Sequence, residues 1–131
     1  MKSQAITNAL SFDIEDWFHI CGIDSIKKIE HWSDYEGRVE KNTDLLLDIL
    51  DKYDTKATFF ILGWIAEHYP ELVAKISSKG HELASHGYSH KPVFEMDPDE
   101  FESDLLRSIK VIESASNKKV LGFRAPSFSI K

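Results

Sequence analysis

Gly80-His81-Glu82-Leu83-Ala84-Ser85-His86-Gly87-Tyr88-Ser89-His90 places three of the chain's six histidines within eleven residues. Gly80 stops a helical pattern, Glu82 to Ser85 reads as a short strand, and His86 and His90 follow at its carboxyl end. Two imidazoles four residues apart can meet one ion, either on a helix face or on a tight turn, and Gly80, Gly87 and Pro92 favour the turn. Neutral imidazole is a common zinc ligand. A catalytic zinc site takes three protein ligands and keeps one position open, so a carboxylate is required elsewhere in the chain. By itself the H-x-x-x-H spacing also suits surface or capping histidines, and the flanking sequence has to decide.

Working upstream, Pro70 fits a first helical turn, with Leu72, Val73 and Ile76 facing inward. Lys56 to Leu62 reads as a strand, and Gly63 opens the turn into Trp64 to Glu67. Before it, Asn42 or Thr43 is the expected cap of a helix whose Leu45, Leu46, Ile49, Leu50 and Tyr53 form one apolar stripe. Trp17 to Glu40 is irregular, as lids and binding loops often are, with a short helix expected around Ser25 to His31. Its aromatics Trp17, Phe18, Trp32 and Tyr35 are expected to serve packing more than sugar stacking. Ala5 to Phe12 reads as a buried first strand that runs into Asp13-Ile14-Glu15-Asp16. Acids at the carboxyl end of a parallel strand stand where α/β folds gather ligands.

Downstream, Asp97-Pro98-Asp99-Glu100 is a helix start, and Phe101, Leu105, Ile109 and Ile112 follow as a core-facing stripe. Val120 to Phe123 is expected to form a fourth strand, continued by Arg124-Ala125-Pro126-Ser127. Strand-helix repeats with polar candidates at the strand ends predict an α/β fold of parallel strands wound in one direction, with about four βα units.

At 131 residues the chain is one domain or part of one, long enough for a substantial core. A formal charge of −6 argues against nucleic acid or acidic membranes as partners. Cys21 is the single cysteine, so no internal disulfide is available. No run approaches the ~20 apolar residues of a membrane span and no signal peptide is legible, so a cytoplasmic location is expected.

Three stretches in this order, Ser11-Phe12-Asp13-Ile14-Glu15-Asp16-Trp17-Phe18-His19, His86-Gly87-Tyr88-Ser89-His90 and Phe123-Arg124-Ala125-Pro126-Ser127, resemble the polysaccharide deacetylases of the NodB-homology class, carbohydrate esterase family 4. Lys56-Ala57-Thr58-Phe59-Phe60 also looks like that family's second strand, and the acid-x-acid form of the first motif is similar to exopolysaccharide-associated members. The resemblance implies a distorted (β/α) barrel, present here in part, with residues 1–131 as the N-terminal portion of a single domain. It implies a divalent metal, usually zinc, and removal of acetyl groups from an N-acetylated polysaccharide or oligosaccharide.

Carried onto this chain, the resemblance makes His86 and His90 the metal histidines and Asp13 the general base. Arg124 would orient that base, while Pro126 and Ser127 would meet substrate, with a backbone N–H near Ser127 holding the oxyanion. For the metal carboxylate, period-two geometry keeps Asp13 and Glu15 on one side of an extended segment, so Glu15 is chosen and Asp16 stays open. The family's general-acid histidine lies beyond the Arg-x-Pro motif, and no histidine follows His90 here. Loss of such an acid typically costs ~10²–10⁴-fold in rate. A barrel divided near its middle also leaves a strand edge open, with Val120 to Phe123 as the expected edge and self-association as its consequence. Two alternatives share the same residues: a hydrolase of a small non-peptide C–N bond, and a metal- or glycan-binding domain without full activity.

Overall fold

The computed structural model describes residues 7–24, 26 and 28–130. Three short strands form a parallel sheet in the order β1 (Ser11–Ile14), β2 (Thr58–Ile61), β3 (Glu82–Ser85). Ile14, Ile61 and Ser85 end the strands, with Ile14 aligned to Ile61 and Ile61 to Ser85, so the three carboxyl ends share one rim. The helices are α1 (Val39–Lys52), α2 (Gly63–His68), α3 (Pro70–Ser78) and α4 (Pro98–Ser116). The part of the expected first strand before residue 7 lies outside the described residues.

Along β2 burial follows strand alternation. Phe59 and Ile61 point to the layer of helices and are fully buried, while Phe60 faces the other side of the sheet. Leu47, Leu62, Ile65, Val73, Ile76 and Ile112 complete the core against them. Truncating a residue such as Ile61 to alanine is expected to destabilise the fold by ~2–5 kcal/mol.

Helix starts behave as the sequence predicts where the cap is local. Asp97 accepts a hydrogen bond from Glu100 N (2.9 Å) with Pro98 at the first position of α4, and Pro70 opens α3. Along α4, Ile112 is fully buried, while Phe101, Leu105 and Ile109 are half-buried. Of the expected helix at 25–31, the described part resolves instead into a 3₁₀ segment at Ile29–Asp34.

At α1 the expected cap fails, and the expected stripe holds only at Leu50 and the partly buried Leu46. The helix begins at Val39, upstream of Asn42 and Thr43, and Thr43 is buried inside it. Its core face is Val39, Thr43, Leu47 and Leu50, whereas Leu45, Ile49 and Tyr53 are exposed. The helix is apolar on two sides, and the position of the sheet decides which side is covered.

Val120 to Phe123 does not form a fourth strand. Phe123 makes one parallel bridge to Ser85, with Ser85 N donating to Gly122 O and Arg124 N donating to Ser85 O, both at 2.9 Å. Leu121 is almost fully exposed, and among the described residues no strand lies beyond this segment to extend the ladder. Among the described residues the fold is therefore a partial parallel α/β arrangement of three strands and one bridging segment.

Candidate metal centre

The residues at the carboxyl rim converge. One donor atom from each of Glu15, His86 and His90 lies within 4.8 Å of the others, the one such cluster of three among the described residues. His90 Nε2 is 2.8 Å from Glu15 Oε2, and His86 Nε2 is 3.8 Å from Asp13 Oδ2. The opposite nitrogen of His86, Nδ1, donates to the carbonyl of Arg124 at 2.8 Å, which leaves Nε2 as the lone-pair nitrogen facing the cluster. Burial pushes the His86 pKa down, opposed by the nearby Asp13 carboxylate and that carbonyl bond, so the ring is held neutral at neutral pH. Two imidazole nitrogens and one carboxylate oxygen form a donor set suited to zinc with a position left open.

Arg124 binds the Ser11–Asp13 segment. Its Nη1 donates to Asp13 Oδ1 (2.6 Å) and Nη2 to Ser11 Oγ (2.7 Å), while its guanidinium lies 4.0 Å over the Phe60 ring. Ser11 and Asp13 are two residues apart on one strand face, which is why one side chain reaches both. With Oδ1 occupied by Arg124, Oδ2 is the Asp13 oxygen turned toward His86.

Asp16 has a different place. It is buried, and its Oδ2 accepts from Arg38 N (2.6 Å) and Val39 N (2.9 Å), the N-cap and first residue of α1, while Oδ1 accepts from Trp17 N (2.9 Å). This carboxylate is the cap that the sequence assigns to Asn42 or Thr43. Asp16 N donates to His19 Nδ1 at 2.7 Å, so neutral His19 carries its proton on Nε2, which has no hydrogen-bond partner among the described residues. His19 is enclosed by Phe18, Trp32 and Trp64. Burial there, with smaller contributions from His90 and His68, pushes its pKa down to about 3.

A cavity of about 590 Å³ opens over the cluster, with Trp17, Ile20, Ser127 and Phe128 on its walls. Phe18 and Trp32 belong to the core as expected, but Trp17 is 46 % exposed and fixed through Nε1 to Glu36 O (3.1 Å). Pro126 is buried, whereas Ser127 lines the cavity; Ser127 and Phe128 both take left-handed backbone (φ 52° and 51°). Cys21 Sγ lies 3.4 Å from both Nδ1 and the carbonyl oxygen of His90.

Two residues escape a reading of the sequence alone. Asp104 on α4 accepts hydrogen bonds from Tyr88 N (2.7 Å), Ser89 N (3.0 Å) and Ser89 Oγ (2.5 Å), inside the interval between the two histidines. Glu67 accepts from the Tyr88 hydroxyl and from Arg107 Nη2 (3.0 Å). An acid in the second turn of an amphipathic helix carries no sequence mark that separates it from a solvated one.

The profile of the polysaccharide deacetylase family matches residues 26–131, beginning downstream of the Asp13–Asp16 segment. Among curated proteins, a peptidoglycan-N-acetylglucosamine deacetylase of Bacillus cereus is 34 % identical over 70 residues, which is 53 % of this chain and 26 % of that protein. A peptidoglycan deacetylase of Helicobacter pylori is 36 % identical over 81 residues, 62 % of this chain and 28 % of the relative. The matched part thus spans little more than a quarter of these relatives. Among solved structures, the peptidoglycan deacetylase PdaC of Bacillus subtilis superposes with TM-score 0.72 at 26 % identity, over 94 % of this chain and 50 % of its own. A carbohydrate esterase family 4 pseudoenzyme of Bacillus anthracis superposes equally well (TM-score 0.73, 25 % identity, 94 % and 36 % covered). Backbone likeness therefore joins active and inactive proteins, and activity has to be argued from side chains. With the profile spanning most of its length, this chain belongs to the polysaccharide deacetylase family.

Proposed function

We propose that the chain carries the metal-binding and base-bearing part of a hydrolase that removes N-acetyl groups from a carbohydrate polymer. The carrying observation is the convergence of Asp13 Oδ2 with the Glu15, His86 and His90 donor atoms beneath an open cavity. Glu15, His86 and His90 would hold a divalent ion, zinc by donor type. Such an ion, when bound, acidifies water and polarises an amide carbonyl. Asp13 accepts the proton of the attacking water through Oδ2, and Arg124 keeps that oxygen aimed by holding Oδ1. Ser127, at the cavity wall, is the chain's candidate for holding the carbonyl oxygen, with Pro126 packed behind it on Gly87.

The names of the relatives point to glycan substrates, peptidoglycan among them, and the exposed faces of Trp17 and Phe128 suit a sugar ring. Acetate release from N-acetylglucosamine oligomers by zinc-loaded protein tests this reading. Asp13→Asn is expected to lower turnover ~10²–10⁴-fold while zinc stays bound. The pseudoenzyme neighbour favours one second reading, a glycan-binding domain without turnover. Glycan binding with no acetate released from any N-acetyl glycan would establish that reading instead.

We also take residues 1–131 to be the N-terminal portion of one deacetylase domain, a view supported by the fraction of each relative that the chain covers. The edge expected at Val120 to Phe123 is only a bridging segment; among the described residues β1 pairs only with β2, and we place self-association of the isolated chain at that β1 edge instead. Sedimentation velocity tests it: the weight-average mass is expected to rise with concentration, and a fixed monomer mass speaks against it.

A further inference from the structure

The His86–His90 loop has to turn twice for its end residues to face one point. Gly87 takes φ +76° and His90 takes φ +55°, a left-handed conformation that a non-glycine residue keeps only when its surroundings impose it. The constraint comes from both sides. Gly63 N and Trp64 N, where α2 begins, donate to the carbonyls of Gly87 (2.7 Å) and Tyr88 (3.3 Å). On the opposite side the inner amides, Tyr88 N and Ser89 N, converge with the Ser89 hydroxyl on the single carboxylate of Asp104. A Cβ added at Gly87 would sit 3.1 Å from Asp104 Oδ2, so the missing side chain at Gly87 also makes room for that carboxylate.

We propose that Asp104 is a positioning residue of the metal centre, whose carboxylate fixes the turn that brings His86 and His90 onto one ion. This rests on the proposed metal reading. Asp104 touches neither ion nor substrate; it acts through the loop amides, as outer-shell carboxylates commonly act through ligand side chains. A purely structural Asp104 would alter the melting temperature alone, whereas a positioning residue alters how tightly and in what geometry the metal is held.

The test measures zinc affinity by chelator competition, and the visible spectrum with cobalt, on the full chain as wild type, Asp104→Asn and Ser89→Ala. Asp104→Asn keeps one acceptor oxygen but turns N–H groups toward backbone N–H, and a ~10–100-fold loss of zinc affinity with a shifted cobalt spectrum is expected. Ser89→Ala removes only the hydroxyl bond and should lose less than Asp104→Asn, with a smaller shift. A folded Asp104→Asn protein with wild-type affinity and spectrum overturns the inference. Should Asp104→Asn fail to fold, Ser89→Ala decides, and a wild-type affinity and spectrum there overturn it too. A wild-type protein that binds no zinc overturns the metal reading and this inference together, and that result needs no variant to recognise.

Discussion

His86 and His90 sit on a loop enclosed by α2, α4 and the Arg124 segment, whereas Asp13 and Glu15 stand on or just beyond β1, which among the described residues has one hydrogen-bonded neighbour. Side-chain exposure follows the difference: 2 % and 6 % for the two histidines against 26 % and 32 % for Asp13 and Glu15. The two histidines are thus preorganised by packing, and the two carboxylates are held by a few polar contacts at a sheet edge. Asp16 is the exception in the acidic segment, buried and bound to three backbone amides, and it anchors the edge to α1. One side of the centre is fixed by burial, and the other by the Asp16 cap and the Arg124 bonds to Ser11 and Asp13.

The largest effect should come from the buried half. His86→Ala and His90→Ala are each expected to abolish stoichiometric zinc binding, as measured by metal content after dialysis; retention of a full equivalent by either breaks the assignment.

Acid should act on the other half through His19. In the unfolded chain a histidine titrates near 6.5, whereas the folded value is about 3, so between those pH values the unfolded state takes up a proton that the native state refuses. Stability attributable to neutral His19 is therefore complete above pH 6.5 and is lost as pH falls toward 3, on the order of 5 kcal/mol in all. Urea midpoints across that range should fall steeply for wild type and less for His19→Gln; equal slopes would remove His19 from the account.

Next in size is the contrast between neighbouring acids. Asp16→Ala is expected to destabilise the protein by ~2–3 kcal/mol through lost amide hydrogen bonds, with zinc still bound. Glu15→Ala should leave the melting temperature of metal-free protein nearly unchanged and weaken zinc. The reverse pattern would make Asp16 the ligand. A smaller stability change, about 1 kcal/mol, is expected for Trp17→Ala, which loses ring contacts with Phe18 and Tyr35 and the bond to Glu36 O, and its distinguishing effect should be a raised KM for glycan.

Much of this was legible in local signals. Pro70, Asp97 and Pro98 mark helix starts because their partners lie within four residues, and alternation along β1 puts Ser11 and Asp13 on one side, while Glu15 lies just past the strand end. The cap of α1 was not, since Asp16 comes from 22 and 23 residues upstream of the amides it binds, in a loop with no periodicity. Leu45, Ile49 and Tyr53 mislead because a helix with two apolar sides has two valid stripes, and only the sheet's position chooses between them. Val120 to Phe123 has strand composition, but a ladder needs a partner along its whole length, and here it has Ser85 alone.

Arg124 contributes to the centre with both ends, its guanidinium to Asp13 and its backbone carbonyl to His86 Nδ1. Substitution reaches only the first. A scan at position 124 will therefore report the orientation of the Asp13 carboxylate and remain blind to the tautomer of the histidine, because every one of the twenty residues supplies the same carbonyl. A relative that has lost this arginine can still present a correctly protonated imidazole, so inactivity caused at this position and failure to bind metal are separable outcomes.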